Sequence, residues 1–170
     1  MLVVAGRVTK DVGYAQNYKK TQQIIRKAIP DAEKHGIKIL VENVWNNFLL
    51  SPLEMAKYID EFDSPFVGAY FDVGNVVRFG FPDQWIRILG KRIGKLDIKE
   101  YSRKLQSDEG LWKGFGVEIG DGDSDYKSVR AALKEIGYND GWATAEVKGG
   151  DQKRLQFIAD RMDRELGLNS

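Results

Sequence analysis

Five short apolar runs recur along the chain, MLVVAG, IKILVEN, FVGAYFDV, RIGKLDIKE and GWATAEV, each about as long as a strand. Between them the pattern turns helical. The first helical pattern lies in YAQNYKKTQQIIRKAIPDAEKHG and stops at Gly36. Pro30 inside it is expected to kink or split the helix, because it lacks an amide and disfavours helical geometry at Ile29. SPLEMAKYIDEF carries the clearest start. Ser51 can cap it, Pro52 suits the first turn and Glu54 completes a capping box. FPDQWIRILG predicts a third helix from Pro82 to a stop at Gly90. DYKSVRAALKEIG predicts a fourth, capped by Asp125 and ended by Gly137, and GDQKRLQFIADRMDREL closes the chain. Strands alternating with helices at this spacing predict βαβ units on a parallel sheet, in one domain over residues 1–170. The stretch YSRKLQSDEGLWKGFGVEIGDGD reads as a long irregular connection, of the kind that serves as a binding loop or lid.

Four of the apolar runs stop on an acid: Glu42, Asp72, Asp97 and Glu146. Side chains alternate faces along a strand. Glu42 therefore shares a face with Leu40 and Lys38, Asp72 with Tyr70 and Gly68, Asp97 with Lys95 and Lys99, and Glu146 with Thr144 and Trp142. The opposite face is apolar each time and suits helix packing. In a parallel sheet all these acids fall at the C-terminal strand ends, where active sites of α/β barrels and open α/β sheets form. A single acid there is ordinarily a helix cap, a loop acceptor or half of an ion pair. A matched set would repel unless a cation sat within it, and a hard divalent ion with oxygen ligands meets that need.

Composition narrows the class. The 170 residues suffice for one sizeable core, with 42% hydrophobic and 30% charged residues, as in an ordinary globular protein. The net charge is +1, from 26 Lys+Arg against 25 Asp+Glu, and no basic run stands alone, so nucleic acid is not expected as a partner. The chain has no cysteine, which excludes disulfides, zinc–thiolate sites and cysteine nucleophiles. MLVVAGRVTKD lacks the charged n-region of a signal peptide, and no run approaches the roughly 20 apolar residues of a membrane span. The expectation is a soluble, cytoplasmic protein.

The blocks VENVWNNFLLSP, GAYFDVGN, KLDIKEY and GDGDSDYKSVRAALKEIGYNDGWATAEV resemble the sugar isomerase/epimerase superfamily of xylose isomerase-like TIM barrels. The resemblance runs from Met1 to about Arg161 with the blocks in the family's order. It implies a partial (β/α)8 barrel of five βα units, corresponding to the fourth to eighth strands. It also implies a divalent-metal-dependent isomerase or epimerase of a small sugar or sugar phosphate, moving a proton next to a carbonyl through an enediolate. Glu42, Asp72 and Glu146 match three of the family's metal ligands. Asp97 stands where a histidine is common in an H-x-K-D pattern, leaving an all-oxygen set that favours Mg²⁺ or Mn²⁺, with Co²⁺ and Zn²⁺ as alternatives. Lys99 would compensate the added charge and meet substrate. Asn75 takes the place of the histidine in a D-x-x-H pattern, and Arg103 falls where an arginine often touches substrate oxygens. Leu49 replaces an acid common after an N-x-F pattern. Glu42 and Glu146 would be the proton-transfer pair.

Other features carry less. GDGDSD resembles an EF-hand start, but Tyr126 and Ala132 stand where that loop requires glycine and glutamate. Gly149-Gly150 reads as a flexible turn before the last helix, with phosphate binding as the weaker alternative. His35 suits a helix C-terminus. Trp112 and Phe115 either cover a sugar or pin the long loop. A complete barrel takes about 250 residues, so the first three strand–helix units are expected to be absent. Open sheet edges then predict self-association. The alternative function is a non-catalytic or weakly active barrel fragment that self-associates.

Overall fold

The computed structural model describes residues 1–168. The strands are β1 (Leu2–Val3), β2 (Ile39–Glu42), β3 (Val67–Asp72), β4 (Ile93–Ile98) and β5 (Ala143–Ala145). They form one five-stranded sheet in the order β1-β2-β3-β4-β5. β1 runs parallel to β2 and β2 to β3, with Glu42 opposite Tyr70, while Asp97 of β4 lies opposite Thr144 of parallel β5. The helices are α1 (Tyr14–His35), α2 (Pro52–Asp60), α3 (Val73–Val77), α4 (Pro82–Leu89), α5 (Arg103–Glu109), α6 (Tyr126–Glu135) and α7 (Gln152–Leu166). None is long and apolar enough to cross a membrane.

The chain divides into two compact units, residues 1–71 with 88–95, and residues 72–87 with 96 onward. In the first unit, α1 runs unbroken through Pro30, so the expected split does not occur. Arg26 and Pro30 are both exposed, and water can satisfy the Arg26 carbonyl that loses its helical partner. The buried stripe of α1 is more polar than a hydrophobic pattern suggests. The Asn17 side-chain amide donates to the Ala5 carbonyl at 3.1 Å, and that of Gln22 to the Tyr58 carbonyl at 3.0 Å. The Tyr58 hydroxyl donates to Thr21 at 2.8 Å. Buried polar groups persist only when paired in this way. Phe48, Tyr58 and Phe62 pack edge to face beside them. The Ser51 hydroxyl caps α2 by accepting from the Glu54 amide at 3.2 Å. Glu54 reaches back one residue further than a capping box requires, to the Leu50 amide at 3.0 Å, because the Tyr14 hydroxyl also binds its carboxylate at 2.6 Å.

In the second unit, Leu96 and Ile98 of β4, with Val76, Ile86, Val129 and Leu133, are buried. The stretch expected to be irregular contains α5, capped by Ser102, and a 3₁₀ segment, Leu111–Phe115. α6 begins at Asp125, whose carboxylate accepts from the Ser128 amide at 3.2 Å, and Asp151 caps α7 through the Arg154 amide at 2.9 Å.

Candidate metal centre

Asp72 closes β3 and opens α3. Its Oδ1 accepts from the Asn75 amide at 2.8 Å, so this acid is a helix cap. The residue is completely buried, at 0% exposure. Asp97 lies in β4, also buried. Glu146 lies one residue past β5, where its amide still donates to the Ile98 carbonyl at 3.0 Å and holds it on the sheet. Asp72, Asp97 and Glu146 offer carboxylate oxygens that lie within 4.8 Å of one another. Glu42 closes β2 in the first unit, buried.

Lys99 stands among the acids of the second unit. Its Nζ lies 2.7 Å from Glu146 Oε2 and 3.1 Å from Asp72 Oδ2. On another side it faces the Phe115 ring, 5.1 Å from the centroid. Its main chain is fixed: the Lys99 carbonyl accepts from the Tyr126 hydroxyl at 2.8 Å, and a Cβ on Gly74 would sit 2.8 Å from that same oxygen. Burial pushes the Asp72 carboxyl up to about 8, against the pull of the Lys99 charge and the Asn75 amide. Burial alone would lower Lys99, but Asp72 and Glu146 hold it above its ordinary value.

Glu100, the neighbour of Lys99, does different work. It is 2% exposed, and its Oε1 accepts from the Tyr101 amide at 2.9 Å and the Ser124 amide at 3.0 Å. Oε2 accepts from the Gly120 amide at 2.9 Å. The carboxylate thus gathers both ends of the long connection onto β4. Sequence reasoning passed over it. The only trace is an acid beside Lys99 on the face opposite Asp97. The fixed connection carries Phe115, which stacks edge to face on Tyr101 with centroids 4.8 Å apart. Lys99, Phe115, Glu118, Glu146 and Arg154 border a cavity of about 820 Å³, a volume in the range of small-ligand pockets.

The other residues singled out in the sequence are placed differently. The Asn75 backbone amide serves Asp72, and its side chain is buried in α3. Arg103 donates through Nε to the Val77 carbonyl at 2.9 Å and through Nη2 to the Gly80 carbonyl at 2.8 Å, with its guanidinium over Phe81. It staples the turn between α3 and α4. Asp121 of the EF-hand-like stretch is ion-paired with Arg161 at 2.7 Å. Carboxylates grouped in this way can hold a hard divalent ion through oxygen alone.

A parallel α/β sheet with carboxylates gathered at the C-terminal ends of its strands puts the group where the active sites of α/β barrels form. Residues 1–164 match the family described as xylose isomerase-like TIM barrel, and the chain belongs to that family. An uncharacterised protein of Methanocaldococcus jannaschii is 32% identical over 122 residues, 69% of this chain and 39% of that one. The E. coli 3-keto-D-glucoside 4-epimerase superposes with a TM-score of 0.74 at 15% identity, over 96% of this chain and 62% of its own. The IolI protein, solved with a zinc atom bound, gives a TM-score of 0.79 at 18% identity, over 99% of this chain and 63% of its own. The chain thus spans less than two thirds of each of these proteins, and identities this low carry the fold alone.

Proposed function

We propose that the chain acts, as a single domain, as a divalent-metal-dependent isomerase or epimerase of a sugar or sugar phosphate. The observation that carries this reading is the group of clustered carboxylates of Asp72, Asp97 and Glu146 beside a ligand-sized cavity. The names of the solved neighbours, a sugar epimerase and a zinc-bound protein, support it.

In this reading Asp72, Asp97 and Glu146 would hold Mg²⁺ or Mn²⁺, with Glu42 as fourth ligand. Glu42 closes β2, in register with Tyr70. The bound ion would supply Lewis-acid stabilisation of the oxyanion that develops beside the exchanging C–H bond. Glu146, half exposed at the cavity, takes the proton from carbon, and Glu42 returns one from the opposite side. Lys99 and Asn75 hold substrate oxygens. Arg103, with Nε and Nη2 already on carbonyls, offers its remaining edge. Phe115 walls the C–H face of the sugar and keeps water from it.

The test is elemental assay of the purified protein, followed by turnover of a panel of ketoses and their phosphates with and without chelator. Chelation is expected to abolish turnover, and Mn²⁺ or Mg²⁺ to restore it. Turnover indifferent to chelator overturns the metal-dependent reading. The coverage of 62% of the solved epimerase favours one second reading, a barrel segment that binds metal without catalysis. Metal uptake with no turnover of any sugar selects that reading.

We further infer that the chain self-associates. Among the described residues β1 and β5 are the outermost strands of the sheet, and open strand edges invite a second copy. Light scattering at micromolar concentration is expected to give at least twice the 19.3 kDa chain mass. A monomer mass overturns this inference.

A further inference from the structure

We propose that Lys99 is a displaceable internal cation that holds metal affinity down and, once displaced, delivers its charge to the substrate. The proposal rests on the metal-dependent reading above. The Lys99 ammonium takes Glu146 Oε2 at 2.7 Å and Asp72 Oδ2 at 3.1 Å. A divalent ion bound through Asp72 and Glu146 competes with it for these acids, and the two cations repel at close range.

The main chain of Lys99 cannot move to relieve this conflict. Its carbonyl is held by the Tyr126 hydroxyl at 2.8 Å and closed in by Gly74. The four-carbon side chain can move, because a lysine ammonium is a compact charge on a flexible stem. One direction is open. Lys99 borders the cavity shared with Phe115 and Glu118, and it already faces the Phe115 ring at 5.1 Å. Arg154 engages the Glu118 carboxylate at 2.8 Å, so the relocated ammonium meets the substrate's oxygens instead. Metal uptake and the arrangement of a substrate-binding cation are thus one event. An anionic oxygen or a phosphate on the substrate would be favoured by it.

Binding of Mn²⁺ to wild type, K99M and K99R, followed by calorimetry, tests the competition. Loss of the charge in K99M is expected to tighten Mn²⁺ by about tenfold or more, whereas K99R, which keeps the charge, stays within about threefold of wild type. In the wild-type protein, modification of Lys99 by a neutral amine-reactive ester, read by peptide mass, is expected to rise about threefold on adding Mg²⁺. This second measurement decides the matter if K99M does not fold. Equal or weaker Mn²⁺ binding by folded K99M, or unchanged labelling of Lys99 in the presence of bound Mg²⁺, overturns the displacement and leaves the metal site standing. Failure of every variant to bind Mn²⁺ overturns the metal-dependent reading and this proposal with it.

Discussion

Glu146→Gln is expected to lower ketose turnover by at least about a thousandfold while the protein stays folded. General acid–base catalysis by one positioned group is worth about 10²–10⁴-fold. Glu146 would also ligate the ion, so the substitution removes part of the charge stabilisation too. Folding should tolerate the change, because the side chain is 52% exposed and the pair that it loses is with Lys99. Glu42→Gln is expected to act similarly, and the double variant little worse than either, since groups that work as a unit are not additive. The measurement is kcat with saturating Mn²⁺, with circular dichroism to verify the fold. Substantial activity in either single variant would show that the proton-transfer pair lies elsewhere.

The largest expected effect on stability is at Glu100. Glu100→Ala should cost about 3 kcal/mol or more, since each bond to a buried charged group is worth roughly 1.5–3 kcal/mol and the amides left behind lose their partner. For a chain of this size such a loss lowers Tm by roughly 6–12 °C. Glu100→Gln keeps one carbonyl oxygen and should fall between the two. The Tyr101 and Ser124 amides both use Oε1, so a glutamine that presents its oxygen there retains both bonds and loses the one to Gly120. Urea denaturation measures the difference. A Glu100→Ala protein as stable as wild type would mean that the carboxylate does not organise the connection. Hydrogen exchange should separately show the amides of residues 116–125 opening in Glu100→Ala before those of α6 do.

Much of the scaffold was legible because periodicity survives in short runs. The alternation in IKILVEN and FVGAYFDV marks β2 and β3, and Ser51, Asp125 and Gly36 mark helix ends through chemistry local to those residues. What failed was what depends on tertiary partners. RKLQSDE has too few apolar residues to advertise α5, yet Ser102 caps it and the 3₁₀ segment packs beside it. Nothing local to the polar stripe Asn17–Thr21–Gln22 reveals the Ala5 and Tyr58 groups that satisfy it.

The candidate site divides in the same way. Strand parity points Asp72, Asp97 and Lys99 to one face, and the structure brings them together with Glu146. Parity also separates Glu100 from them, but it cannot show the amides of Gly120 and Ser124 arriving from 20 and 24 residues away. Arg103 carries the right charge for a substrate contact. Only the turn at Val77–Gly80 shows that two of its donors are committed to the backbone.

The way Glu100 is satisfied also sets how the connection responds to ionic strength. Two of its partners, the Tyr101 and Ser124 amides, are uncharged peptide dipoles in the buried interior, where mobile ions do not reach and screening is weak. The ties from the same connection to α7, Arg154 to Glu118 and Arg161 to Asp121, are partly open to solvent. Salt loosens those outer ties first. In concentrated electrolyte the segment would stay anchored to β4 while its rim near α7 comes free.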